Sequence, residues 1–174
     1  MNKRASSIRL LTVTALLTAM NVVMSSSLLS VPVPGGHMYL NDVIIVAAAV
    51  LLPPLPAFAV GGVGAFLGDL LFYPAPMFVS LVTHGVQALA VSLCTRRLWP
   101  GDRRAGSLAG ALIGWAVAVL GYTLGRAYLY STPQYALLKL PFQILQDAVG
   151  SALGLALCWP CGLAGLFRRQ FGDL

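Results

Sequence analysis

Six apolar runs separated by short polar breaks dominate the chain, at residues 8–28, 43–55, 57–73, 77–95, 107–130 and 138–167. A membrane-crossing helix takes ~20 apolar residues, and most of the runs approach or exceed that length. The second is shorter. It either re-enters from one side or joins the third across Pro53-Pro54-Leu55-Pro56, although three prolines in four residues argue against one continuous helix. The pattern predicts an all-α integral membrane protein, with residues 1–174 forming one domain and six transmembrane helices forming one bundle.

Composition points the same way. The chain is 58% hydrophobic and 9% charged and has no Glu, whereas soluble domains carry roughly one-quarter charged residues. The first run is too long for a signal-peptide core of about 7 to 15 residues, and no small-x-small cleavage site follows it, so it is kept as a span.

Charge then sets the orientation. The net charge of +6 sits in small clusters at the ends of apolar runs rather than along one face, which suits topology and not nucleic acid. With six spans, Lys3, Arg4, Arg9, Arg96, Arg97, Arg103, Arg104, Arg168 and Arg169 fall on the cytoplasmic side, nine of the 11 basic residues. Five spans would put four arginines outside, against the positive-inside tendency. Both termini are therefore expected in the cytoplasm, and the protein in the cell (cytoplasmic) membrane as a multi-pass species. The halves differ in loop length and charge and show no repeat of the kind that builds many complete secondary carriers.

Polar groups at membrane depth are costly and mark pathways or ligand sites. In this topology they collect in the outer half. Tyr39, Asn41 and Asp42 lead into the second span, and Asp69 closes the third. Residues three and four apart share a helix face. Lys139, Gln143, Gln146, Asp147 and Gly150 form one stripe; Ser80, Thr83, His84 and Gln87 a second; Tyr122, Gly125, Arg126 and Leu129 a third. Converging stripes would enclose a pocket open to the outside, with Tyr39, Phe72, Tyr73, Phe78 and Phe142 as flat walls for a small planar heterocycle.

Plainer readings exist for these residues. Asp42 and Lys139 also suit an interface position, where charge costs little, and His84 suits a structural hydrogen-bonding role inside the bundle. Asp147 lies deep enough to require a partner or solvent.

Ala15-x-x-x-Ala19 in the first span, and Gly61, Gly64 and Gly68 in the third, are small-residue patterns that permit close helix approach. The alanines pack within the bundle or offer a smooth stripe to another subunit. The run Gly61-Gly-Val-Gly-Ala-Phe-Leu-Gly68 lacks the spacing and the following Lys of a phosphate loop. No ATPase, metal-ligand or hydrolase motif is present, and a redox enzyme would have to rest on one Cys158-Trp-Pro-Cys161. No catalytic residue, metal or resident cofactor is expected, so uphill uptake would draw its energy from a partner.

Several of these elements together resemble the substrate-binding S components of energy-coupling factor (ECF) vitamin transporters, in the riboflavin-type group. They are Ala15-x-x-x-Ala19, Gly35-Gly36 through Asn41-Asp42, Gly61-Gly62-x-Gly64-x-x-x-Gly68-Asp69, and Leu140-Pro-Phe-Gln-Ile-Leu-Gln146-Asp-Ala-Val-Gly150. The resemblance implies a six-helix subunit that captures a vitamin from outside and docks on a transmembrane coupling subunit with two cytoplasmic ATPases, which use the ATP. Ala15 and Ala19 would face the coupling subunit, and residues 31–40 would act as a lid. The residues expected to bind substrate are Tyr39, Asn41, Asp69, His84, Gln87, Tyr122, Arg126, Lys139, Gln143, Gln146 and Asp147. A thiamine precursor, a B6-type vitamer or riboflavin would be the ligand. The competing reading is a ligand-free membrane scaffold in which the same polar groups only cross-link helices.

Overall fold

A computed structural model describes residues 3–26, 30–34, 36–98 and 101–172. Leu28, Gly35 and Trp99, and the side chains of Lys3 and Arg4, lie outside the described residues.

The architecture is all-helical. In chain order it comprises α1 (Lys3–Met24), a short hairpin of β1 (Val31–Val33) and β2 (Gly36–Met38), α2 (Asn41–Leu51), α3 (Pro54–Phe72), α4 (Met77–Leu98), α5 (Arg103–Tyr130), α6 (Pro133–Cys158) and α7 (Leu163–Phe171). The hairpin is antiparallel, with Val31 opposite Met38 and Pro32 opposite His37, and falls within the segment expected to be a lid.

Five helices, α1 (as Ser6–Met24) and α3 to α6, are long and apolar enough to cross a membrane. The second expected span is different. Its helix has only 11 residues, ~16 Å at 1.5 Å each, and is almost entirely enclosed. Ile45, Val46, Ala48, Ala49 and Leu52 have no exposed surface, and with Val60, Ala88, Val91 and Cys158 they form the apolar core. Side chains of α4 hold the carbonyls at its C-terminal end: Arg96 donates to Leu51, and Ser92 donates to Leu52 at 2.8 Å. Pro53 then takes an extended conformation and Pro54 opens α3, where a missing N–H costs nothing.

The last expected run is also interrupted. α6 ends at Cys158, and α7 starts only after a turn at Trp159–Gly162, because Pro160 cannot continue the ladder and Gly162 adopts φ +78.

α3 is wedged between α1 and α4, and its glycines explain how. A Cβ on Gly61 would lie 2.6 Å from the His84 carbonyl oxygen, and one on Gly64 would lie 2.6 Å from Asn21 Nδ2. Between these two faces Ala59–Val63 forms a π-helical turn, which disturbs the backbone ladder. Asn21 of α1 answers it by donating to the Val60 carbonyl at 2.6 Å. The outward side of α1 stays uncovered, so Ala15 and Ala19 are exposed beside Leu11, Leu16 and Met20.

Candidate functional site

At one end of the bundle a cavity of about 210 Å³ lies under the hairpin. The hairpin side contributes His37, Tyr39 and Asn41, α1 leads to Ser25, and α3 and its following turn supply Asp69, Tyr73 and Pro76. His84 comes from α4, Tyr122, Arg126 and Tyr130 from α5, and Tyr135, Lys139, Gln143 and Gln146 from α6. Nine of the 11 expected binding residues therefore line one space. Gln87 and Asp147 do not; both are wholly buried and brace the residues that do.

Two hydrogen-bonded chains do the bracing. On one side Arg126 Nη2 donates to Gln143 Oε1 at 2.6 Å, and Gln143 Nε2 donates to Asp147 Oδ1 at 2.7 Å. On the other, Gln87 Nε2 donates to Asp42 Oδ1 at 2.9 Å, while Gln87 Oε1 lies 2.7 Å from His84 Nδ1. His84 Nδ1 also stands 3.7 Å from Asp42 Oδ1. The Asp42 side chain has no exposed surface, so its charge is met inside the bundle. Gly150 makes room for it, since a Cβ there would overlap the Asp42 Cβ. Asp69 accepts from Ser80, whose Oγ is 2.5 Å from the Tyr122 hydroxyl.

Lys139 is likewise buried. Its Nζ donates to the His37 carbonyl at 3.1 Å, and Gln146 Oε1 accepts from the Tyr39 N–H at 2.9 Å. Both α6 side chains thus hold the hairpin segment down over the cavity. Burial pushes the Tyr39 hydroxyl above the ordinary tyrosine range, so it remains a donor at neutral pH.

Two buried polar atoms in the lining have no partner among the described residues: Arg126 Nη1 and Asn41 Oδ1. Arg126 is only 9% exposed and Asn41 5%. A buried donor and a buried acceptor left unmade each cost about 1–3 kcal/mol, a deficit that a ligand or ordered water would relieve.

The flat walls differ from those expected. Phe72 and Phe78 point outward at 49% and 64% exposure, and Phe142 is absent from the lining. Tyrosines take their place. Five of the six in the chain, Tyr39, Tyr73, Tyr122, Tyr130 and Tyr135, line the cavity. Leu129, expected on the inward stripe of α5, is 76% exposed, because Arg126–Tyr130 is π-helical and the wider turn brings Tyr130 inward instead. Tyr135 extends the α6 stripe four residues before Lys139 and was readable from spacing; His37 and Ser25 carried no such signal.

An all-helical, multi-pass membrane protein with a lidded, tyrosine-walled polar cavity at one end belongs to the class of membrane-embedded solute-binding subunits. A family model described as the ECF-type riboflavin transporter, S component, matches residues 5–161, and the chain belongs to that family. It is also 30% identical over 156 residues to a Pyrococcus woesei protein named "Uncharacterized protein in gap 3'region", across 88% of this chain and 98% of that protein. Membership makes the chain the substrate-binding subunit of an ECF transporter, associated with the ECF module and not itself an ATPase.

Proposed function

We propose that the chain captures a single-ring heterocyclic vitamin or vitamin precursor from outside the cell, in the cavity beneath the hairpin. The observation that carries this reading is the pairing of tyrosine walls with two unpartnered polar atoms, Arg126 Nη1 and Asn41 Oδ1. They ask for a planar ligand with an acceptor on one edge and a donor on another. Drug-sized sites run to ~300–1,000 Å³, and at ~30 Å³ per water-sized unit a cavity of about 210 Å³ holds about seven such units, the scale of one substituted ring. That size favours a thiamine-precursor pyrimidine or a B6-type pyridine over a three-ring flavin. Asp69, His84, Tyr122 and Tyr39 complete the binding surface, with Gln87, Gln143 and Asp147 as its supports.

In this reading α2 counts as a sixth, shortened pass. Both termini then lie in the cytoplasm, the protein sits in the cell membrane, and the arginine-rich α4–α5 connection faces two partner ATPases. The exposed Ala15–Ala19 stripe of α1 meets the coupling subunit, where small side chains permit close packing.

Thermal unfolding of the detergent-purified protein against B vitamins and their precursors tests the proposal. A ligand at one hundred times its dissociation constant adds about 2.7 kcal/mol of stability. One selective single-ring stabiliser is expected. A panel without effect on demonstrably folded protein would point to a ligand outside the panel and remove the support for a single-ring B-vitamin ligand.

A further inference from the structure

At the opposite end of the bundle, an open surface depression is lined by Gly101, Asp102, Arg103, Arg104, Trp159 and Arg168. We propose that it holds the phosphate-bearing headgroup of an anionic phospholipid. Among the described residues Arg104 and Arg168 line it beside one carboxylate, which is already engaged: Asp102 Oδ1 accepts from the Arg104 and Ala105 N–H groups at 2.9 and 3.1 Å, capping α5. Among the described residues the depression therefore keeps a surplus of positive charge.

Its back wall is built and amphipathic. Trp159 Nε1 donates to Ser107 Oγ at 2.8 Å, and the Arg104 guanidinium lies over the Trp159 ring at 5.6 Å from its centre. An indole anchored in this way between charged and apolar surfaces is typical of the membrane–water boundary. α7 has the matching form: Ala164 and Phe167 are buried in the core, Leu166 is 59% exposed, and Arg168 and Arg169 occupy its last turn.

Acyl-chain contacts distinguish a lipid from free phosphate. Arg104, Leu108 and Leu112 follow one another at four-residue spacing along α5, with the leucines 55% and 66% exposed. A headgroup on Arg104 thus continues directly into an apolar track for its chain. Arg104 and Arg168 bind the phosphate, and Trp159 fixes the depth of the glycerol region.

The test is native mass spectrometry of the full chain from phosphatidylcholine nanodiscs with and without phosphatidylglycerol, which needs no knowledge of the vitamin. One retained phosphatidylglycerol per chain is expected, with retention falling about fivefold for each arginine lost in Arg104→Gln and Arg168→Gln. Arg9→Gln, an exposed arginine elsewhere in the chain, should leave it unchanged. Equal retention by the Arg104→Gln/Arg168→Gln protein overturns the site. So does equal loss in Arg9→Gln, which would mean diffuse charge attraction. Displacement of the lipid by glycerol phosphate as effectively as by phosphatidylglycerol would reassign the depression to a soluble phosphate. Arg168→Gln alone, at an exposed position, keeps the test usable where the double variant is unstable.

Discussion

The two ends of the bundle bury opposite kinds of surface. Around α2 the enclosed side chains are apolar, Ile45 to Leu52 against Val91, Cys158 and Phe167, and the carbonyls at the helix's end are taken up by Ser92 and Arg96. Around the cavity the enclosed side chains are Asp42, His84, Gln87, Arg126, Lys139, Gln143 and Asp147, and among the described residues Arg126 Nη1, Asn41 Oδ1, Asp42 Oδ2 and Asp147 Oδ2 are left without a partner. The first region is held by apolar packing, whereas the second carries unmet polar demand. Stability should therefore respond mostly to the first region and affinity mostly to the second.

Breaking the packing gives the largest effect. Gly61→Val puts new atoms against the α4 backbone at His84, which cannot move aside cheaply, and should cost about 3 kcal/mol or more. Thermal unfolding in detergent measures it; an unchanged midpoint would show that the α3–α4 contact is slack.

Ligand affinity should separate from stability at Arg126. Arg126→Gln removes a charged donor from the lining, worth about 1.5–3 kcal/mol, or roughly ten- to a hundredfold in dissociation constant, with the melting temperature of the free protein held or raised. Comparable loss of stability would make Arg126 a structural residue.

Lys139→Met sharpens the contrast further, because Lys139 reaches the cavity and also ties down the hairpin at His37. Losing that tie should weaken affinity about fivefold, chiefly through faster dissociation measured by stopped-flow chase. The smallest effect on binding belongs to Ala15→Trp, outside both regions: affinity unchanged, but uptake blocked in vesicles carrying the coupling subunit and ATPases. Normal uptake would move the docking face away from α1.

Much of this was legible from spacing. The stripes on α4 and α6 are buried as their three- and four-residue repeats imply, since a regular helix turns its side chains predictably. The α5 stripe failed at its last member because a π-helical turn changes the register, placing Tyr130 where Leu129 was expected. Hydropathy located α2 but could not separate a crossing helix from an enclosed short one, which depends on what packs around it. That Asp42 and Lys139 are enclosed was not readable from spacing, because it depends on Gln87 and the hairpin packing over them from elsewhere in the chain. Pro160 and Gly162 marked the end of α6, yet the apolar run continued through them and masked the break.

Isothermal titration with the stabilising vitamin, run on wild type and on an Asn41→Leu/Arg126→Gln variant, tests the central claim most directly. The account predicts one saturable site per wild-type chain and at least a hundredfold weaker binding in the variant, whose melting temperature is held or raised. Equal affinity in the two proteins would place the ligand outside the tyrosine-walled cavity and contradict the account.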